Sequence, residues 1–233
     1  MNGARNDRAG ADPPGCVKLF PVAGALLLPH RTLPLNVFEP RYCAMVDAAL
    51  AADRLIGMIQ PRAHRPRAME PHARLPAAQS DEAHPPLFSV GCVGRITQFA
   101  ETDAGGYLIV LLGLRRFRLI GEKPVDTPFR QGRVAFDDFA DNLTEDPAAI
   151  DRSALLTALR KFAAWAHYEL DWDRLSQAPT AALVDALSIA SPFGPQEKQA
   201  LLEARTTDAR ARTLIMLAEV AMAERPHRAP ILQ

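Results

Sequence analysis

Near residue 140 the spacing of apolar residues changes, and that change constrains the fold more than any other feature. Before it, apolar runs are short and are broken by Pro and Gly: Val17–Phe20, Ala25–Leu28, Leu33–Phe38 and Leu55–Gln60. Further runs follow at Ser89–Ala100, Tyr107–Gly113, Leu114–Ile120 and Arg133–Phe139. After it, apolar residues recur at helical intervals. Strands first and helices afterwards imply an α+β chain, with a β barrel or sandwich followed by a helical bundle.

The local signals agree. In Leu114–Ile120, Phe117 and Leu119 share one face while Arg116 and Arg118 share the other, the period-2 pattern of a strand. Asp103-Ala104-Gly105-Gly106 reads as a hairpin turn between two runs. Pro40 suits the first position of a helix, and Met45, Val46, Ala49 and Leu50 carry that helix to about Ala52. Residues 61–86 hold six prolines and three histidines and read as an exposed Pro-rich loop.

Further on, Asp146-Pro147 offers a cap and a first turn, and Leu155, Leu156, Leu159, Phe162, Ala166 and Leu170 form one apolar stripe. A second helix fits Thr180–Ala190, and a third begins near Pro195. A fourth covers about Asp208–Glu224, with Ala211, Leu214, Ile215, Ala218 and Met222 on one side. The expected layout is a disordered lead-in over 1–15, a β domain over 16–140, a helical subdomain over 141–226 and a tail over 227–233.

Composition narrows the function classes. Lys plus Arg and Asp plus Glu both number 27, so the formal net charge is zero. Binding to nucleic acid phosphates draws on a basic excess, which this chain lacks overall. Residues 1–15 contain no apolar stretch of the kind a secretory signal needs, and no apolar run is long enough to span a bilayer. Three separated cysteines, Cys16, Cys43 and Cys92, form no CxxC pair. The reading is a reducing, cytoplasmic setting without a disulfide framework.

The most specific segment is KLFPVAGALLLPHRTLPLNVFEPRYCAMV, residues 18–46. It resembles the entry motif of the Lon protease N-terminal family at Leu19, Phe20, Pro21, Leu28, Pro29, Leu33, Pro34, Leu35, Phe38, Glu39, Arg41, Tyr42 and Val46. Three later segments agree in order. IGMIQPR at 56–62 is similar to the family's second strand, and EKQALLE at 197–203 to a helical stretch. VGCVGRITQFAETDAGGYLIVLLGLRRFRL at 90–119 is similar to its G-x-x-G-x-I hairpin and G-x-x-R-F strand, and contains Gly91, Gly94, Arg116 and Phe117.

The resemblance implies a PUA-like pseudo-barrel packed on a helical bundle. It implies a module that binds unfolded or degron-bearing protein, or a protease or chaperone partner. The sequence contains no G-x-x-x-x-G-K-[ST] loop to cradle phosphates. The expectation is therefore a stand-alone, non-catalytic module without cofactor or metal.

Most motif residues read as builders of the fold. Pro21, Pro29 and Pro34 set strand ends and crossings. Phe20, Leu35 and Phe38 read as core. Glu39 suits a helix start, where it can accept backbone N–H groups, and Arg41 and Arg116 are candidates to pair with it or to cover the barrel end. Arg41, Arg116, Trp165 and Tyr168 are the candidate binding surface. His64, His72 and His84 lack the close spacing of a zinc site, and His167, beside Trp165 and Tyr168, reads as an interface or half-buried residue, not a ligand.

Two other classes remain open. A PUA-like RNA-binding protein would use Arg62, Arg65, Arg67, Arg74, Arg115, Arg116 and Arg118, but the loop has no aromatic to stack bases. A small hydrolase would need Cys43, Cys92, Ser89 or Ser191 as nucleophile, and none sits in a recognisable motif.

Overall fold

The structure, a computed structural model, describes residues 15–62, 84–139, 150–169 and 171–224. Among the described residues, six strands and six α-helices follow the expected order of β first and helix afterwards. The strands are β1 (Cys16–Pro21), β2 (Thr32–Val37), β3 (Leu55–Pro61), β4 (Leu87–Glu101), β5 (Tyr107–Lys123) and β6 (Gln131–Ala135). Helix α1 (Pro40–Leu50) lies between β2 and β3. The others are α2 (Arg152–Trp165), α3 (Trp172–Gln177), α4 (Thr180–Ala190), α5 (Pro195–Glu203) and α6 (Thr207–Glu224).

The sheet closes on itself. Its order is β2-β5-β4-β3-β1-β6, and β6 pairs again with β5. Strands β5, β4, β3, β1 and β6 therefore form a ring, with β1 and β3 its parallel pair. Closure removes sheet edges within that ring. Tyr107–Gly113 and Leu114–Ile120, expected as two strands, are one long β5. Its C-terminal half pairs with β6, while Tyr107–Leu112 pairs with β2.

The ring closes around one phenyl group. Phe117 is fully buried with Val17, Leu19, Leu55, Ile59, Val93 and Val134. Gly91 makes room for it, and Gly94 makes room for Leu27 on the other side of the sheet. A Cβ on Gly91 would lie 2.3 Å from Phe117 Cζ and 2.5 Å from the Met58 carbonyl oxygen. A Cβ on Gly94 would lie 2.7 Å from Leu27 Cδ2.

The second core cluster lies outside the ring, and it unites Val90, Cys92, Ile109 and Leu111 of the sheet with α1 and the helices α2, α4, α5 and α6. Ala25–Leu28, expected as a strand, belongs to this cluster without pairing in the sheet. Leu26, Leu27 and Leu28 are nevertheless fully buried. Gln60 takes over the backbone's needs there: its Nε2 donates to the Ala25 carbonyl at 2.5 Å, and its Oε1 accepts from the Gly24 N–H at 2.8 Å. The side chain thus satisfies two backbone groups at the start of a buried run that has no ladder of its own.

Other differences are local. Arg133–Phe139 is not one strand: β6 ends at Ala135 and Asp137–Phe139 forms a 3-10 turn. Helix α2 starts at Arg152, where the Asp151 carboxylate accepts the Ala154 N–H at 2.9 Å. Asp146-Pro147 and Leu170 lie outside the described residues, as do His64 and His72 and most of the Pro-rich stretch. Helix α2 ends earlier than its stripe implies. His167 takes a left-handed φ of 56°, the Tyr168 N–H donates to the Ala163 carbonyl at 2.8 Å, and the chain turns away. His167 is consequently exposed, not half-buried. The short helix α3 has no counterpart in the expectation.

Candidate functional site

The sequence motif mostly builds the fold, but not always where expected. Phe20 is buried and tilts against Tyr42 with ring centroids 4.6 Å apart. Burial raises the Tyr42 phenol above its ordinary value. Along β2 the inward positions are Leu33, Leu35 and Val37, so Phe38 comes out on the opposite side. It is 73% exposed, which corrects its reading as core. Pro34 is also exposed.

Glu39 is the N-cap residue of α1, yet its side chain caps nothing. Instead it accepts from Arg41 Nε at 2.9 Å, in an ion pair open to solvent on both sides. The Arg41 guanidinium lies 4.5 Å from the Tyr42 ring centroid.

Arg116 does not pair with Glu39, and it is no surface residue. It is 1% exposed and reaches from β5 into the helical part. There its Nη1 donates to the Leu202 carbonyl at 2.8 Å and the Ala204 carbonyl at 2.5 Å. Its Nη2 donates to the Arg205 carbonyl at 3.1 Å. These are the carbonyls at the end of α5, where a cation is favoured. The candidate surface of Arg41, Arg116, Trp165 and Tyr168 therefore divides. Arg41 sits on α1, Arg116 is inside, Trp165 is half-buried on α2, and Tyr168 is exposed just beyond it.

A different surface is open. Where β5 leaves the ring, Tyr107–Leu112 is flanked by β2 and by the end of β4. One face of this extension packs on α1, and the Tyr107 hydroxyl donates to the Asp47 carboxylate at 2.6 Å. Holding that proton beside a carboxylate pushes the Tyr107 phenol up to about 12. On the other face, cross-strand rows Pro34–Val110–Gln98 and Asn36–Leu108–Ala100 face solvent. They line a shallow trough of about 410 Å³. Leu108 is 52% exposed on it, and Phe99 and Phe38 are exposed nearby.

No residue lining this trough carries a charge or a nucleophile; its polar groups are the amides of Asn36 and Gln98. The chemistry on offer is burial of apolar side chains and amide hydrogen bonding. Sequence reasoning passed over Leu108 because it sits in an apolar strand. The available signal was that Tyr107–Gly113 is apolar on both faces, although one face alone meets α1.

Several of the groups considered for other chemistry are otherwise engaged. Burial pushes the Cys92 thiol up to about 12, away from the reactive thiolate. Ser191 Oγ donates to the Leu187 carbonyl at the end of α4. Arg115 lies over Phe136 and Arg118 pairs with Asp138. Among the described residues, no cluster of His, Cys, Asp and Glu could hold a metal, and no helix is long and apolar enough to cross a membrane.

This architecture matches known proteins. It is similar to a Lon N-terminal domain protein from Xanthomonas campestris, with a TM-score of 0.56 and 19% identity over 86% of this chain and 97% of that one. It is equally similar to the N-terminal domain of Mycobacterium avium complex Lon protease, with a TM-score of 0.58 and 20% identity over 88% of this chain and 98% of that one. In sequence, Lon protease 2 of Myxococcus xanthus is 26% identical over 218 residues, covering 88% of this chain and 23% of that protease. Lon protease 2 of Sorangium cellulosum is 29% identical over 221 residues, covering 86% and 24%. The chain thus spans about a quarter of the length of these two proteases. The model of the ATP-dependent protease La (LON) substrate-binding domain matches residues 17–219. With the barrel, the helical part and the motif glycines all in place, this chain belongs to the LON substrate-binding domain family.

Proposed function

We propose that the chain is a non-catalytic polypeptide-binding module that takes apolar segments of unfolded or degron-bearing protein onto the β2–β5–β4 trough. The observation that carries this reading is the trough itself: exposed Leu108 on a face with no charged lining, in a fold whose family is described as substrate-binding. A contiguous exposed apolar surface rimmed by polar groups is the physical mark of a binding site. The module works in the cytoplasm alongside a protease or chaperone that supplies the engine. Its β part, residues 16–140, and its helical part, residues 141–226, serve as one scaffold.

Isothermal titration with a reduced, unfolded model protein tests the reading. Heat of binding is expected, with competition by apolar peptides and loss in Leu108→Asp at unchanged melting temperature. Absence of heat, or equal binding by Leu108→Asp, refutes it.

A further inference from the structure

The ring has no edges, but β2 lies outside it. It pairs with β5 on one side, and among the described residues no strand pairs with the other side. The direction of its backbone groups follows from the hydrogen bonds at its start. The Gly113 N–H donates to the Arg31 carbonyl at 2.9 Å, so position 31 faces β5. The hairpin end agrees: the Thr102 N–H donates to the Gly106 carbonyl at 2.9 Å, which turns Tyr107 away from β4 and toward β2. Antiparallel pairing alternates. Leu33, Leu35 and Val37 therefore bond to β5, and the backbone groups of Thr32, Pro34 and Asn36 face outward. All three residues are exposed.

We infer that this outer edge of β2 recruits an extended segment of the client polypeptide as an added strand. The inference rests on the polypeptide-binding reading and specifies how the client is held. The edge offers the N–H and carbonyl of Thr32, the N–H and carbonyl of Asn36, and the Pro34 carbonyl between them. Only an extended backbone carries the complementary donors and acceptors at that spacing. Main-chain pairing is indifferent to side-chain identity, while the adjoining trough at Pro34 and Leu108 takes the apolar ones.

Pro34 decides the occupant. It withholds one N–H, so a client strand forfeits that one bond. A second copy pairing symmetrically about Pro34 forfeits it from both chains. The proline thus disfavours self-pairing more than client binding, the use edge prolines commonly have.

The test uses the full chain and a peptide of alternating valine and threonine with a lysine at each end. Amide hydrogen exchange is followed by NMR with and without saturating peptide. The Thr32 and Asn36 amides are expected to slow by at least about tenfold on binding, while Leu33 and Leu35 are already protected by β5. Asn36→Pro removes an outward donor without touching the β5 ladder and is expected to weaken binding about tenfold. Pro34→Ala restores a donor and is expected to strengthen it about threefold.

Peptide binding that leaves Thr32 and Asn36 exchange unchanged overturns the edge and leaves the trough reading intact. Failure of this peptide while unfolded protein still binds does the same. If neither binds, both readings fall. A concentration-dependent dimer dissolved by Asn36→Pro assigns the edge to a second copy and also overturns the inference.

Discussion

Arg116 and Leu202 are joined by a hydrogen bond of 2.8 Å between a barrel strand and the end of helix α5. The same guanidinium reaches the carbonyls of Ala204 and Arg205 and lies 4.7 Å from the Phe139 ring centroid. One strand side chain therefore caps a helix that follows it by some eighty residues. Gln199 crosses the same boundary in the other direction, with its Nε2 donating to the Val90 carbonyl at 3.1 Å.

Removing this cap is expected to destabilise the fold. Arg116→Met keeps much of the volume but leaves buried carbonyls without donors, at a cost of about 2–4 kcal/mol. Arg116→Lys recovers only part, because a single ammonium cannot reproduce the planar fork. Urea denaturation of both variants checks the order.

Gly91→Ala is expected to cost about 3 kcal/mol or more. Its new methyl meets both the Phe117 ring and the Met58 backbone oxygen, and the backbone cannot retreat without opening the β3–β4 ladder. A large drop in melting temperature is the readout. An effect below about 1 kcal/mol means the ring relaxes around Phe117.

Glu39→Ala is expected to change stability by no more than about 0.5 kcal/mol. The side chain caps no helix N–H, and its pairing with Arg41 is exposed on both sides. The sequence motif alone points to a larger loss. Thermal melts of the variant distinguish the two.

Lys198 lends stability a pH dependence. It is buried on α5, and its Nζ donates to the Ser188 and Ile189 carbonyls at 2.7 Å each. Burial lowers its pKa from 10.5 to about 8. Between these values the unfolded chain binds more protons than the folded one, so this group makes stability rise with pH across that window. Below it both states are charged and the contribution is at its lowest. The gain, on the order of 1–2 kcal/mol, is expected in the native chain and absent from Lys198→Met, when denaturation is compared at pH 7.5 and pH 10.

Much of the architecture was legible. Pro40 and the Met45–Val46–Ala49 spacing located α1, Thr180–Ala190 located α4, and Gly105-Gly106 located the β4–β5 turn. What crowds the motif glycines, the Phe117 ring at Gly91 and Leu27 at Gly94, appears only when segments far apart in sequence close around them. The trough was not legible. Its rows combine residues of β2, β4 and β5, and register is a property of pairing, not of any one strand.

The sequence by itself determined the order of β part before helical part and most of the elements in each, because periodicity of two or 3.6 residues records the faces of an element. It also determined the family, through motif residues that mostly pack. Tertiary structure alone decided which faces are covered. Phe117 and Arg116 point opposite ways as their alternation requires, yet both are buried, because the barrel encloses one and the helical part covers the other. Leu108 and Ile109 alternate in the same way, yet α1 covers only Ile109's side. Alternation separates two faces, and only packing against distant elements decides which of them meets water.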